Sequence, residues 1–249
     1  MAQLNNEIAV VILAAGLGTR MKSDRAKVLH EVLGRPMVSY VLDTALKVTD
    51  DNIVLVVGHE AEKVKKAVKE HSGVRFAFQP DQLGTGHAVA CALPVISKSC
   101  RHVLILCGDV PLVTERTVRQ LIGDHLTNQR DVTVLAMQVE HPKGYGRILT
   151  ATDGQVTAIV EEADTTVEQK NIQVVNTGIY CVKINFLAQA LDKIDNDNAQ
   201  GELYLTDIIS VGNKEKKKVG VLVAENSNEF HGINSMADLE VAEKLMQQR

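Results

Sequence analysis

Short apolar runs alternate with helix-like segments through the first 140 residues of the chain. The first run, IAVVILAA at residues 8–15, has no polar interruption, as is typical of a strand buried on both faces of a parallel sheet. Helix-spaced segments separate four further strand-like runs, at 52–58, 74–79, 102–109 and 131–139. This alternation predicts an α/β fold in which helices flank a mostly parallel, Rossmann-like sheet with right-handed crossovers.

The pattern changes after residue 140. Residues 146–162 predict two strands joined at Asp153–Gly154, a dipeptide typical of a hairpin turn. Another apolar strand is predicted at 174–182. A final helix is predicted at 235–249, where Ser235 suits the N-cap position. The second part of the chain therefore looks like an extension built onto the first.

Composition excludes several classes of protein. The formal net charge is −4, whereas nucleic-acid-binding domains usually carry a basic field. The four cysteines form no C-x-x-C pair, which favours buried thiols in a reducing compartment. No basic leader precedes the first strand, and no apolar run approaches the roughly 18 residues of a membrane-spanning helix. We expect a cytoplasmic protein that binds neither nucleic acid nor membrane.

The loop after the first strand, LAAGLGTRM, suggests a phosphate site. Gly16 and Gly18 fit the start of a dinucleotide-binding loop, but Met21 replaces its third glycine, and no P-loop pattern is present. Arg20 and Lys27 add two cations at the carboxyl end of the first strand, where open α/β sheets bind ligands. Side chains would then hold a triphosphate. The alternative is an ordinary strand-to-helix turn with solvated cations.

Further motifs carry a resemblance to a known family. LAAGLGTRM, followed by Lys27 in AKVLHEVLGRPMV, resembles the signature of sugar nucleotidyltransferases. FQPDQLGTGHAV, GDVPL, GYGRI, IVEEAD, VNTGI, NAQGELYLTDII and HGINSMADL then follow in the order found in one branch. That branch is the uridyltransferase domain of the bifunctional N-acetylglucosamine-1-phosphate uridyltransferase/glucosamine-1-phosphate acetyltransferases. The resemblance covers residues 8–240 and implies the nucleotide-diphospho-sugar transferase fold.

The resemblance implies a reaction and a division of the chain. UTP and N-acetylglucosamine 1-phosphate would give UDP-N-acetylglucosamine, a cell-envelope precursor, and pyrophosphate, with Mg²⁺ as cofactor. Residues 1–249 would form one nucleotidyltransferase domain, with a nucleotide-binding half at 1–140 and a sugar-binding half at 141–249. The chain has no [LIV]-G-x₄ repeats typical of a left-handed β-helix. We therefore expect no acetyltransferase activity, and a monomer or weak dimer.

The family motifs also assign roles to residues. The implied catalytic residues are Arg20, Lys27 and Asp109, and the implied metal ligands are Asp109 and Asn234. The implied nucleotide-binding residues are Leu13, Ala14, Ala15, Gly16, Gly18, Gln79, Gln82, Gly84 and Thr85. The implied sugar-binding residues are Gly146, Glu161, Asn176, Tyr204 and Thr206.

Each of these roles has a simpler alternative. Asp109 also suits a turn or an N-cap, and Asn234 before a serine is typical of a loop or cap. Leu17, Cys107 and Ala163 depart from the family pattern, which often has a basic residue, an aromatic residue and a lysine at these positions. None of the three departures removes an implied ligand.

Three other functions remain open from the sequence. A second sugar nucleotidyltransferase activity, such as dTTP with glucose 1-phosphate, would keep the fold and change the substrates. A non-catalytic nucleotide-sugar-binding regulatory protein would keep the fold without the chemistry, although it would be expected to have lost Arg20, Lys27 or Asp109. A dinucleotide oxidoreductase is disfavoured by the broken glycine pattern.

Overall fold

The computed structural model describes residues 7–21, 23, 25–49, 51–152 and 154–248. In chain order its strands are β1 (Ile8–Ala14), β2 (Glu31–Val32), β3 (Arg35–Pro36), β4 (Ile53–Val57), β5 (Val74–Phe78), β6 (His102–Cys107), β7 (Val132–Gln138), β8 (Arg147–Thr150), β9 (Val156–Val160), β10 (Val174–Lys183) and β11 (Val219–Val223). Its α-helices are α1 (Met37–Leu46), α2 (Ala61–Ala67), α3 (Thr85–Ala92), α4 (Glu115–Thr127), α5 (Ile184–Leu191), α6 (Asp207–Lys214) and α7 (Met236–Gln247).

The main sheet has the strand order β11-β7-β10-β6-β1-β4-β5. Every neighbouring pair in this order is parallel except those of β10, which runs antiparallel to β6 and β7. The hairpin of β8 and β9 joins the sheet through β10. The predicted α/β fold with a mostly parallel sheet is confirmed.

Strand β1 lies in the middle of the sheet, between β4 and β6. Val10, Val11 and Ile12 have no exposed surface, and alternate residues of β1 join separate apolar clusters on the two faces. Each such side chain contributes roughly 1.5–3 kcal/mol by its burial. The uninterrupted apolar run at 8–15 is therefore explained by helices covering both faces.

Most predicted elements are present, with differences at their ends. Ser235 caps α7 by accepting a hydrogen bond from the Asp238 N–H, as predicted. Pro36 lies in β3, and α1 begins at the next residue, Met37. The strands β8 and β9 are confirmed, but Asp153 of their predicted turn lies outside the described residues. Within the described part of the chain, no helix is long and apolar enough to span a membrane.

Two histidines meet at the amino-terminal end of the sheet. His102 Nδ1 lies 3.1 Å from His125 Nε2, and His125 Nδ1 lies 2.9 Å from Thr133 Oγ1. His125 is fully buried, and burial together with the positive field of neighbouring groups lowers its pKa to about 3. The imidazole is therefore neutral in the folded protein over most of the accessible pH range.

This buried histidine predicts loss of stability in acid. Between about pH 6.5 and pH 3, the unfolded state holds one proton more than the folded state at this residue. The free energy of unfolding should then fall by up to about 1.4 kcal/mol per pH unit from this group. Urea denaturation at pH 7 and pH 5 should show a smaller difference for His125→Gln than for the wild type. His141→Gln, at an exposed position, should leave the difference in the free energy of unfolding between the two pH values as in the wild type. An equal difference for all three proteins would contradict the assignment.

Candidate active site

The carboxyl ends of β1 and β6 open onto a cleft with a volume of about 400 Å³. All nine predicted nucleotide-binding residues line it, together with two of the predicted catalytic residues, Lys27 and Asp109. Its remaining described lining residues are Leu17, Val28, Ala88, Cys107 and Glu202. Residues from five separate segments of the chain are thus brought to the edge of the sheet at which parallel strands end.

The glycine loop packs directly over Lys27. Gly18 has a φ of +68°, and a Cβ atom there would lie 2.6 Å from the Lys27 Cβ. A larger residue would therefore push the loop away from the lysine, in addition to straining the backbone. This close approach allows the Lys27 side chain to extend beneath the loop toward β6.

A charged cluster closes one end of the cleft. The Lys27 ammonium donates to Asp109 Oδ2, and also to Asn234 Oδ1 at 2.7 Å. Arg20 donates to the same Asn234 oxygen at 2.7 Å. The structure therefore places the predicted catalytic residues and both predicted metal ligands in one group.

Backbone contacts hold this group together. The Ile233 N–H donates to the Asp109 carbonyl at 3.0 Å, so the segment before α7 is tied to the turn after β6. The Asn234 N–H donates to Asp238 Oδ2 in the first turn of α7 at 2.9 Å. Asn234 thus does have the local loop contacts expected of an asparagine near a helix start, while its side chain faces the two cations.

At the other end of the cleft, the 83–86 turn is held by the segment 202–205. Gly84 has a φ of +111°, and a Cβ atom there would lie 2.6 Å from the Leu203 carbonyl oxygen. The Thr85 hydroxyl oxygen accepts a hydrogen bond from the Leu205 N–H at 3.0 Å. The LGTG and GELYL motifs therefore form one structural unit that shapes this end of the cleft.

Gln79 is buried rather than solvated, with 3% of its surface exposed. Its Nε2 donates to the Gly84 carbonyl at 3.1 Å, which fixes the orientation of the amide. With the NH₂ group used internally, the Gln79 carbonyl oxygen remains as an acceptor for a ligand. Gln82, by contrast, is exposed at the cleft.

Three of the predicted sugar-binding residues lie side by side where the β8–β9 hairpin pairs with β10. Arg147 of β8 pairs with Val160 of β9 and with Val175 of β10. The adjoining positions in both antiparallel pairs are Gly146, Glu161 and Asn176, the three predicted residues, and the Asn176 N–H donates to the Gly146 carbonyl at 2.8 Å. Asn176 Oδ1 accepts from the Gly178 N–H at 2.9 Å, which fixes the orientation of the amide.

Glu161 and Thr206 form a hydrogen-bonded pair, with the threonine hydroxyl donating to Glu161 Oε1 at 3.1 Å. Burial raises the pKa of the Glu161 carboxyl, and the nearby carboxylates of Asp207, Asp164 and Glu202 raise it further.

Glu161 and Tyr204 also line a second cavity of about 370 Å³, between β9, α6 and residues 193–198. The Tyr204 hydroxyl donates to Gln200 Oε1 at 2.9 Å. Within the described chain, none of the five predicted sugar residues lines the nucleotide cleft itself.

Cys107 connects the nucleotide cleft to strand β10. It lines the cleft, and its Sγ donates to the Gly178 carbonyl at 3.4 Å. Burial, assisted by the negative charge of Asp109, raises the pKa of this thiol, so it is neutral. The expectation of buried cysteines is confirmed for Cys100 and Cys181, whereas Cys91 and Cys107 are only half-buried.

The sequence analysis missed one residue that supports the cleft. Glu60 adopts a left-handed backbone conformation with a φ of +52°. Its Oε2 accepts a hydrogen bond from the Ala26 N–H at 2.7 Å, immediately before Lys27 in the chain. Nothing in the sequence signals this contact, because it depends on how the β4–α2 turn meets a segment 34 residues earlier.

Leu17 lines the cleft with 45% of its surface exposed, in the loop that carries Gly16 and Gly18. Leu17→Lys would add a cation beside the loop that the sequence predicts to hold a triphosphate, so we predict a KM for the nucleoside triphosphate lower by about two- to fivefold. The gain should fade in high salt. Leu33 has the same exposed fraction, and Leu33→Lys should leave the KM unchanged. A KM that is insensitive to Leu17→Lys would place the triphosphate elsewhere.

Comparisons with known proteins point to one family. Residues 10–180 match the family model of the MobA-like NTP transferase domain. The chain is 48% identical to the bifunctional protein GlmU of Geotalea uraniireducens, over 98% of this chain and 53% of that protein. It is 42% identical to the bifunctional protein GlmU of Desulfotalea psychrophila, over 98% of this chain and 72% of that protein. The chain spans about half the length of most of the curated relatives it matches.

A solved structure supports the fold. A protein from Bacillus anthracis, assigned as a glucose-1-phosphate thymidylyltransferase and solved in complex with sucrose, superposes with a TM-score of 0.74. The match covers 96% of this chain and 94% of that one, at 21% identity. At this level of identity the likeness concerns the fold alone.

Proposed function

The chain belongs to the MobA-like NTP transferase family and matches the GlmU proteins over nearly all of its length, and on this basis we propose that it transfers a uridylyl group from UTP to N-acetylglucosamine 1-phosphate. The products are UDP-N-acetylglucosamine and pyrophosphate. The observation that carries the proposal is the cluster of Arg20, Lys27, Asp109 and Asn234 at one end of a cleft lined by the glycine loop.

The reaction needs no general base. The second pKa of a phosphate monoester is about 6, so the attacking sugar phosphate is already mostly ionised near pH 7. Its oxygen attacks the α-phosphorus of UTP in line, and the bond to the β-phosphate oxygen breaks. The protein has to bring two polyanions together and stabilise the leaving pyrophosphate. It can do both by positioning the substrates and by placing positive charge beside the phosphates.

Each part of the site has a role in this scheme. Lys27 and Arg20 turn from Asn234 and Asp109 toward the β- and γ-phosphates and neutralise the charge of the leaving group. The acceptor oxygen of Gln79 meets the N–H of the uracil ring, and the 84–85 turn lies against the base. Gly146, Glu161 and Asn176 receive the acetamido group and hydroxyls of the sugar.

The donor set fits a divalent cation that binds mainly through its substrate. Asp109 Oδ2 and Asn234 Oδ1 both contact the Lys27 ammonium, so the two oxygens already share one positive charge. Within the described residues, no group of three or more His, Cys, Asp or Glu side chains is arranged to hold a metal. Mg²⁺ usually takes one or two protein oxygens and fills its shell with phosphate oxygens and water. When bound, it would neutralise phosphate charge at the α-phosphorus, with Asp109 and Asn234 as its protein ligands.

Pyrophosphate release tests the proposal. UTP, dTTP, CTP and ATP are each paired with N-acetylglucosamine 1-phosphate and with glucose 1-phosphate, with Mg²⁺ and with excess chelator. We expect release for UTP with N-acetylglucosamine 1-phosphate, lost on chelation. Release with a different pair only would assign other substrates, and no release with any pair would contradict the proposal. Small-molecule partners only, a monomer or weak dimer and a cytoplasmic location stay predictions from the sequence.

A further inference from the structure

Arg147 is the largest fully buried side chain of the described residues, with 1% of its surface exposed. One guanidinium nitrogen donates to Glu162 Oε2 at 2.7 Å, and another donates to the Tyr145 carbonyl. Its Nε has no hydrogen-bond partner among the described residues. The chain thus places a charged group with an unused donor inside the protein, beside a glutamate whose side chain is 35% exposed.

Stability does not explain this arrangement. Removing a guanidinium from water costs several kcal/mol, and a buried ion pair often recovers no more than it costs. An unused buried donor adds to that cost. A long apolar side chain would fill the same volume without either penalty. The free energy of folding therefore does not account for an arginine at this position.

The position of the pair suggests that reason. Glu162 Oε2 also accepts from the Gly144 N–H at 3.1 Å, so Arg147 and Glu162 together bind the backbone at residues 144 and 145. These contacts tie the two residues before Gly146 to the side chain of Arg147, the residue after it. Glu162 follows Glu161 directly, so the same ion pair joins the Gly146 loop to the Glu161 backbone.

The space between Gly146 and the Glu161 side chain is narrow. A Cβ atom on Gly146 would lie 3.3 Å from Glu161 Oε2 and 3.1 Å from the Ile159 Cγ2. A shift of a few tenths of an ångström in the Gly144–Arg147 loop would therefore change the space between the Gly146 backbone and the Glu161 carboxylate. Recognition of an amide and a hydroxyl by these groups depends on that spacing.

We propose that the Arg147–Glu162 ion pair is a positioning pair, which holds Gly146 and Glu161 at the separation that an N-acetylated sugar phosphate requires. The inference rests on the proposed function, since it assigns a support to its sugar-binding residues. Because neither Arg147 nor Glu162 lines the nucleotide cleft, loss of the pair should affect the sugar phosphate and spare UTP.

Steady-state kinetics of Arg147→Met, Glu162→Ala and Glu162→Gln separate the two substrates. We expect the first two variants to raise the KM for N-acetylglucosamine 1-phosphate about tenfold, with the KM for UTP within twofold of the wild type. Glu162→Gln keeps an oxygen that can accept from the Arg147 guanidinium and from the Gly144 N–H. Its KM for N-acetylglucosamine 1-phosphate should lie within about threefold of the wild type. The effects of the two single variants should add only in part in the double variant Arg147→Met/Glu162→Ala, because each of them already removes the ion pair.

The Arg130–Asp124 ion pair offers a matched control. It has the same 2.7 Å N–O distance and is partly buried, but it lies at the opposite end of the sheet, before β7. Asp124→Ala should lower Tm without changing either KM.

Two outcomes would overturn the inference while the proposed function stands: an unchanged sugar KM in Glu162→Ala, or an equal rise in both KM values. If the wild-type protein neither converts nor binds N-acetylglucosamine 1-phosphate, as measured by calorimetry, the proposed function fails and the positioning role fails with it. Arg147→Met changes a buried residue. Glu162→Ala changes a partly exposed carboxylate and decides the question if the arginine variant does not fold.

Discussion

Asp109→Ala is expected to lower kcat for pyrophosphate release by at least about 10²–10³, with the fold intact. The carboxylate stands two residues beyond the buried strand β6 and faces Lys27 at the end of the cleft. It is the carboxylate that accepts from the Lys27 ammonium. Without it, the cluster keeps only the neutral Asn234 oxygen to hold a cation near the α-phosphorus.

The change should be separable from a loss of structure. The Asp109 side chain is about one-quarter exposed, so its removal is expected to cost little stability, and circular dichroism and Tm should stay close to those of the wild type. Asp51→Ala makes the same substitution at an exposed position at the opposite end of the sheet, and it should leave kcat unchanged. Near-normal turnover by Asp109→Ala, with or without added Mg²⁺, would refute the metal-ligand role.

Local patterns in the sequence were sufficient to predict most of the sheet. The run at 8–15 has no polar residue, and β1 is buried on both faces. Ser235 carries its own capping signal, because an N-cap needs only a hydroxyl three residues before a free N–H. Such features depend on neighbours within one turn or one strand, which the sequence shows directly.

Contacts between distant segments could not be predicted from local sequence patterns. Strand β10 enters the sheet antiparallel between β6 and β7, and this insertion brings Asn176 beside Gly146 and Glu161. Helix α6 and the β2–β3 hairpin were not predicted from the sequence, since their signals are short. The family resemblance supplied the candidate site residues, and their grouping depends on pairs such as Lys27 and Asn234, which are 207 positions apart.

The second large effect is expected for Lys27. Lys27→Ala should lower kcat/KM for UTP by about 10² or more, since one preorganised charge at a group that gains negative charge in the transition state is worth about that much. Lys27 contacts both Asp109 and Asn234 with only 14% of its side chain exposed. The ammonium is therefore partly shielded from water, and its charge interacts more strongly with a phosphate than a charge at the surface would. Initial rates at varied UTP concentration, with the sugar phosphate saturating, provide the measurement.

Lys27 can be distinguished from a merely structural cation by comparison with two other variants. Lys98→Ala removes an exposed lysine at the far end of the sheet and should leave kcat/KM for UTP unchanged. Lys27→Arg keeps the charge, but its planar guanidinium does not reproduce a compact ammonium beneath the Gly18 loop. We expect it to recover part of the lost activity and no more. If Lys27→Ala lowered Tm but left kcat/KM for UTP near that of the wild type, the lysine would serve only to neutralise Asp109, and the phosphate contact would pass to Arg20.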